Sequence, residues 1–151
     1  MSYDNGYVRT YQIGAFGSTG GMDFGNTGDL TEIIAVPLDG PNSTTPGVGK
    51  RGRVVGVTIC NVTETFVGTT SGGRVLVGSA GDTDAYYATV AATLSGSSPA
   101  VGASVFLPDD GSKVDIPAGE TALTITCVDC VGSPTGIADV VVEILWYGPA
   151  Q

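Results

Sequence analysis

The stretch GRVLVGSAGDTDAYYATVAA, residues 73–92, places a glycine-rich turn with two aspartates between two runs of apolar, aromatic and β-branched residues. Val, Tyr and Thr favour β-strands, whereas Gly and Asp are typical of turns. The pattern therefore predicts a β-hairpin. Within its turn we expect Gly78 and Gly81 to supply unusual backbone angles, and Asp82 and Asp84 to cap the turn through local hydrogen bonds.

A glycine-rich turn with carboxylates can also hold a ligand. A phosphate-binding loop ends in G-K-[ST] before a helix, but Gly81 is followed by Asp82 and by no lysine. A calcium loop of the EF-hand type needs oxygen ligands at alternate positions and a later Glu. Asp82 and Asp84 supply two ligands, and the series stops at Ala85. A calcium site assembled with other loops is left as an alternative, and the bend of a hairpin is the favoured interpretation.

The whole chain is organised as strand-like segments separated by clusters of Gly, Pro, Ser, Asn and Asp. Eight such segments are recognisable, at residues 9–15, 30–38, 53–66, 74–78, 85–92, 104–107, 121–131 and 137–147. No helical period persists, and the one segment that would allow a helical turn, residues 83–90, has Tyr and Thr that favour a strand. Strands joined without helices pair antiparallel. We therefore predict an all-β antiparallel β-sandwich, in the form of an eight-stranded jelly roll.

One segment near the N-terminus breaks this rhythm of strands and short turns. Residues 14–29 are so rich in Gly, Ser and Thr that we expect a long loop or a flexible arm. The predicted organisation is an N-terminal strand with a flexible Gly-rich arm over residues 1–29, followed by a β-sandwich domain over residues 30–151.

A second segment, residues 39–52, concentrates positive charge. It leads into Lys50, Arg51 and Arg53, which are half of the six basic residues of the chain. So uneven a distribution suggests a docking contact for an acidic partner, and the alternative is a solvated loop rim.

Composition and charge limit the class of protein. The 151 residues suit one domain, and only 14% of them are charged, against about 25% in ordinary globular proteins. The net charge of −9 disfavours binding to nucleic acid or to anionic lipid. The longest apolar run, residues 137–147, is broken by Asp139 and Glu143 and is too short to span a bilayer. We expect a soluble protein without a secretion signal.

Catalytic and metal-binding chemistry finds little support. The chain has no histidine, so the usual Ser-His and Cys-His nucleophiles are excluded. Cys127 and Cys130 form a C-x-x-C, but strand alternation would send the two thiols to opposite faces unless the strand ends between them. We expect Cys60, Cys127 and Cys130 to be buried or idle thiols. The acid pairs, such as Asp109 with Asp110, lie in Gly-flanked turns, where Asp bonds to its own backbone.

The segment RGRVVGVTICNVTETFVGTTSGGRVLVGSAGDTDAYYATVAA, residues 51–92, resembles structural proteins of tailed bacteriophages. The likeness lies in a V-T-E-T-F strand, residues 62–66, that leads through Gly- and Thr-rich residues to a V-G-x-x-G-D-T-D-A-Y hairpin, residues 77–86. PAGETALTIT, residues 117–126, and VVVEILWYG, residues 140–148, fit the same kind of protein. The shared motifs carry no catalytic signature.

The resemblance implies a capsid decoration, or cement, protein, with a jelly-roll or related β-sandwich fold. It further implies a location on the capsid exterior, commonly as a homotrimer, with the major capsid protein and its own copies as partners. Such a protein would be made in the host cytoplasm, bind neither nucleic acid nor membrane, and need no cofactor, metal or catalytic residue. A carbohydrate- or receptor-binding β-sandwich of a phage fibre or spike is the alternative function, and a small β-sandwich enzyme is a further one.

No functional residue transfers from the resemblance by position. Our docking hypothesis therefore comes from charge and composition. We expect Lys50, Arg51 and Arg53, together with residues 3–29, to take part in docking or clamping. The tip of the hairpin, with Asp82 and Asp84, is a second expected contact point.

Overall fold

A computed structural model of the protein describes residues 6–14, 21–25, 29–38, 49–94 and 99–147. These residues form a 3₁₀ helix, Ala91–Leu94, and nine strands: β1 Tyr7–Ile13, β2 Met22–Asp23, β3 Leu30–Ala35, β4 Arg51–Ser71, β5 Arg74–Ser79, β6 Asp82–Ala88, β7 Val105–Leu107, β8 Ala122–Val128 and β9 Val131–Tyr147. Each of the eight predicted segments covers part of a different strand, the segment 121–131 also reaches Val131 at the start of β9, and β2 was not predicted. The all-β class is confirmed. Within the described ranges, no helix has the length and apolar character needed to cross a membrane.

The strands are arranged in two antiparallel sheets. The first sheet has the order β1-β9-β4-β7, with the short β2 also paired to β9, and the second has the order β3-β8-β5-β6. The chain passes repeatedly from one sheet to the other, and the predicted hairpin joins the neighbours β5 and β6. The antiparallel β-sandwich is therefore confirmed, and its eight principal strands are the number that a double-sheet jelly roll uses.

The core lies between the two sheets and follows the two-residue period of the strands. The buried residues of β9 include Val140, Val142, Ile144 and Trp146, and those of β8 include Leu123, Ile125 and Cys127. Trp146 is fully buried, and its indole N–H donates to the hydroxyl of Tyr11 at 3.0 Å. Because these side chains point inward, the alternate residues of the same strands form the outer faces of the sandwich.

The turn of the predicted hairpin differs from the expectation in its glycines. Ala80 and Gly81 connect the paired residues Ser79 and Asp82, but neither Gly78 nor Gly81 has a positive φ, so the predicted unusual angles are wrong. A Cβ atom on Gly78 would lie 2.1 Å from the carbonyl oxygen of Asp82, and the pairing register shifts beside it. Close approach of two backbones at a bulge therefore explains this glycine, while a Cβ atom on Gly81 would meet nothing within 4 Å.

Part of the glycine-rich segment of residues 14–29 packs into the core. Its described residues are 14, 21–25 and 29, and the rest of the expected arm lies outside the described ranges. Met22 and Asp23 pair with β9. Phe24 is fully buried, and the centroid of its ring lies 5.4 Å from the centroid of the Phe66 ring. The apolar pair Met22 and Phe24 is the sequence signal for this packing, and the surrounding glycines obscure it.

The two cysteines of the C-x-x-C are both free and buried, as predicted. Strand β8 ends at Val128, between Cys127 and Cys130, so strand alternation does not separate them and both join the core. The Cys130 sulfur accepts a hydrogen bond from the backbone N–H of Gly73 at 3.1 Å. Burial raises the pKa of Cys127 from 9.0 to about 12. The thiols therefore act as packed apolar groups.

Candidate docking face

The outer face of the first sheet is the candidate docking surface. Residues directly opposite each other in an antiparallel pair lie on the same face, and the register places one set of side chains away from the core. That set defines the outer face of the first sheet: Val8, Thr10, Gln12, Arg51, Arg53, Val55, Thr58, Cys60, Phe106, Asp139, Val141, Glu143, Leu145 and Tyr147.

This outer face is unusually apolar for the solvent side of an antiparallel sheet, which is normally polar. Val8 is 53% exposed, Val55 is 47% exposed and Phe106 is 59% exposed. Val55 lies where the register of β4 shifts between Val54 and Gly56. The ring of Phe106 covers Gly56, because a Cβ atom there would be 3.0 Å from a ring carbon. The rigid sheet thus presents large apolar side chains that nothing in the described chain covers.

One end of the face is basic. Arg51 lies over the ring of Tyr147, with 5.4 Å between the guanidinium carbon and the ring centroid. Arg53 forms an exposed ion pair with Asp115 at 3.6 Å, and the Tyr147 hydroxyl donates to Asp115 at 3.1 Å. Burial first, and then the bond to Asp115, raises the pKa of Tyr147. These contacts hold both guanidinium groups at the surface.

The third basic residue of the predicted cluster is placed differently. Lys50 is only 6% exposed, and its backbone N–H donates to the carbonyl of Pro37 at 2.8 Å. Arg51 and Arg53 therefore share the outer face, whereas Lys50 offers little surface to a partner.

The other end of the face contains a buried carboxylate, that of Asp139, which in the sequence is visible only as a break in an apolar run. Asp139 is 3% exposed, and its Oδ2 accepts hydrogen bonds from the amides of Gln12 at 2.9 Å and Asn61 at 3.1 Å. Its Oδ1 has no partner within the described part of the chain. Burial, and then the charge of Asp139, raises the pKa of neighbouring Cys60. Strand alternation places Asp139 and Glu143 on the same outer face as Arg51 and Arg53.

The two aspartates of the hairpin lie on the other sheet. Asp82 and Asp84 are exposed on β6, so the structure does not bring them together with Arg51 and Arg53. The predicted capping is wrong, because neither carboxylate forms a hydrogen bond within the described ranges; the turn closes by strand pairing instead. Among the residues that the structure describes, no group of three or more Asp, Glu, Cys or His side chains could hold a metal ion.

The acid pair at Asp109 and Asp110 has the turn role that its sequence predicts. The Asp109 carboxylate accepts from the backbone N–H of Gly111 at 2.8 Å, and that of Asp110 from the N–H of Ser112 at 3.0 Å. The bonds from Ser112, first through its side chain, lower the pKa of Asp110. The pair therefore stabilises its own turn.

Comparison with models of known protein families gives no match, and no curated protein matches the chain. The chain is similar to a solved structure described as "Cyanophage Pam1 capsid asymmetric unit", with 17% identity and a TM-score of 0.37 over 99% of this chain and 89% of that chain.

Proposed function

We propose that this protein is a non-enzymatic structural protein of a bacteriophage virion, which decorates the capsid exterior and cements neighbouring capsomers as a symmetric homotrimer. The observation that carries the proposal is the outer face of the first sheet, where Val8, Val55 and Phe106 are exposed on rigid strands. An apolar patch on a folded domain marks an interaction site, and the ring of Phe106 over Gly56, the neighbour of Val55, joins two of these side chains in one patch. A cementing protein uses such surface because it holds its partners by contact and without a chemical reaction.

The chemistry of the described residues supports binding over catalysis. The chain has no histidine, and the carboxylates of Asp109 and Asp110 are engaged in their own turn. The pKa of about 12 keeps the Cys127 thiol protonated at neutral pH, so it is a poor nucleophile. These groups favour a structural role.

The low fraction of charged residues, 14%, fits attachment to a shell in many copies. A symmetric oligomer multiplies weak contacts by presenting the same surface several times. In this proposal Arg51 and Arg53 dock against acidic groups, with Lys50 beside them, and the hairpin tip with Asp82 and Asp84 is a further contact point. The major capsid protein and copies of this chain are the partners.

The proposal is tested by adding the purified protein to capsids that lack it and counting bound copies by electron microscopy. We expect the double variant Arg51→Ser/Arg53→Ser to reduce occupancy, most strongly at low salt, because screening weakens exposed charges. Lys50 is left unchanged because it is buried. Arg53→Ser alone is compared with Arg9→Ser, which also removes one positive charge from the same sheet, but at a residue that pairs with the inward-facing Ile144.

Two results would contradict the proposal. Failure of the unmodified protein to add to capsids would exclude decoration. Unchanged occupancy of the double variant over a range of salt would remove the role of the two arginines.

A further inference from the structure

We propose that a second copy of this chain covers the outer face of the first sheet through a two-fold contact, in which Arg53 of each copy pairs with Glu143 of the other. The inference rests on the proposed function in taking this face as a contact surface, and it names a second copy as the occupant of the face in the free protein, before the same face meets a capsid.

Charge favours self-association on this face over the rest of the surface. The chain carries a net charge of −9, so two copies repel each other at most orientations. The outer face of the first sheet instead presents two positive charges, Arg51 and Arg53, against two exposed negative charges, Glu143 and the Asp115 that pairs with Arg53, while Asp139 lies buried beneath it. Because the exposed charges of this face balance, two acidic molecules repel each other less here than elsewhere.

The pairing register makes the face complementary to itself. Arg53 lies opposite Leu145, Val54 opposite Ile144, and Gly56 opposite Glu143. Arg53 and Glu143 therefore lie on neighbouring strands about 4.8 Å apart, and they are separated by two residues, or about 7 Å, along the strand direction. Consider a two-fold axis that lies in the plane of the interface, runs perpendicular to the strands and passes at the level of Val54. This axis exchanges the level of Arg53 along the strands with the level of Glu143. Each Arg53 then faces the other copy's Glu143, and both ion pairs form at once.

The same axis brings apolar side chains to the centre of the contact. Val55 projects from the bulge at this level and is 47% exposed, and Leu145 lies beside it. The result is an apolar centre with charged groups around it, the usual arrangement of a protein interface.

The area of the face sets the strength of the contact. At about 3.4 Å per residue, the paired stretches of β4 and β9, residues 51–60 and 139–147, each span about 30 Å, whereas β1 spans about 24 Å and β7 about 10 Å. With strands about 4.8 Å apart, these lengths give a face of roughly 500 Å². This is below the roughly 800 Å² per partner of a standard stable interface. We therefore expect reversible, concentration-dependent association. The contact uses one surface twice, whereas a ring of three uses two different surfaces, so it joins single copies or whole trimers in pairs.

Sedimentation velocity on the purified full chain tests the inference through charge reversal. The unmodified protein should form species with an even number of copies as its concentration rises. Arg53→Glu and Glu143→Arg should each raise the dissociation constant at least about tenfold, because each places like charges opposite one another twice. The double variant should recover association. A mixture of the two single variants should recover it too, because both crossed pairs are then of opposite charge.

Two controls separate this contact from general charge effects. Arg9→Glu makes the same change on the same sheet, at a residue paired with an inward-facing one, and should leave association unchanged. In a Cys60→Ser background, Val55→Cys should form a disulfide-linked dimer under mild oxidation. Val67→Cys, 40% exposed on the same strand but outside the face, should not.

A protein that stays monomeric or purely trimeric at all concentrations overturns the inference, as does association that ignores the charge reversals. The outcome is separable from capsid binding. If the protein adds to capsids but its self-association does not respond to Arg53 and Glu143, the inference fails and the proposed function stands. If paired copies form but never add to capsids, the proposed function fails alone.

Discussion

Asp139 is the residue whose burial places the strongest demand on its neighbours. A carboxylate removed from water is stable only when hydrogen bonds replace its hydration, and the two donors come from different strands, Gln12 on β1 and Asn61 on β4. The amide of Gln12 therefore ties the edge strand β1 to the centre of the sheet.

Gln12→Ala should lower the free energy of unfolding by about 1.5–3 kcal/mol, the usual range for a hydrogen bond to a charged group. Urea denaturation measures the change. Thr10→Ala, on the same strand and the same face without a described hydrogen bond, should cost less than about 0.5 kcal/mol. Equal losses for the two variants would contradict this role of Gln12.

The glycines of the hairpin give an equally local prediction. Gly78→Ala should destabilise the protein by about 1–3 kcal/mol, because its Cβ atom would overlap the backbone at Asp82. Gly81→Ala, in open space and without a positive φ, should change stability by less than about 0.5 kcal/mol. Thermal unfolding of both variants provides the comparison. A large loss of stability in Gly81→Ala would support the unusual backbone angle that the sequence predicts at Gly81.

Two buried acids make the fold sensitive to alkali. Burial raises the pKa of Cys127 from 9.0 to about 12, and burial with the charges of Asp109 and Asp110 raises that of Tyr87 from 10.0 to about 12. The unfolded chain releases these protons at lower pH. The contribution of these two groups to stability is therefore complete below pH 9 and should be lost between pH 9 and pH 12, by at most about 1.4 kcal/mol per pH unit for each group.

Denaturation at several pH values between 8 and 12 measures this slope. Tyr87→Phe should flatten it, because the ring remains while the titrating hydroxyl is removed. If the slope of the variant equals that of the unmodified protein, Tyr87 is not a source of the alkaline sensitivity.

At the scale of the elements, local composition was enough to predict the strands. The role of Gly78 and the presence of β2 depend instead on strand pairing and tertiary packing. The alternation in β9 and the turn clusters were sufficient to place eight strands, because both signals are local. Gly78 was misinterpreted because the close approach that requires it depends on the pairing with Asp82. Strand β2 was missed because two residues carry no period, and tertiary packing of Phe24 holds them in place.

Phe24→Ala should lower the free energy of unfolding by about 3–5 kcal/mol, the range for deleting a buried phenylalanine. Leu38→Ala is the control, since Leu38 is 56% exposed and its loss should cost little. Chemical denaturation monitored by circular dichroism compares the two. A small effect of Phe24→Ala would mean that the segment contributes nothing to the core.

At the scale of the whole molecule, the candidate site could be predicted only in part. The cluster of Arg51 and Arg53 is visible in the sequence because the residues are adjacent. Phe106, Glu143 and Asp139 belong to the same face, but they lie on other strands and only the sheet register unites them. Local patterns cannot supply that register when the paired strands are distant along the chain.

The apolar part of this face gives the corresponding prediction. Phe106→Ser should reduce capsid occupancy while leaving the free energy of unfolding within about 1 kcal/mol, because an exposed side chain contributes mainly to binding. Ile33→Ser, at a residue that is 74% exposed on the second sheet, should leave occupancy unchanged. Equal occupancy for the two variants would exclude the first sheet as the binding side.

The central position of β9 also determines when the protein can first assemble. β9 lies between β1 and β4 yet follows all other described strands in the chain. During synthesis, β1 cannot pair until its neighbour β9 has been made, and long-range pairings of this kind form slowly. The outer face of the first sheet does not exist until Tyr147 has left the ribosome. Nascent chains therefore cannot join through this face before β9 has been synthesised.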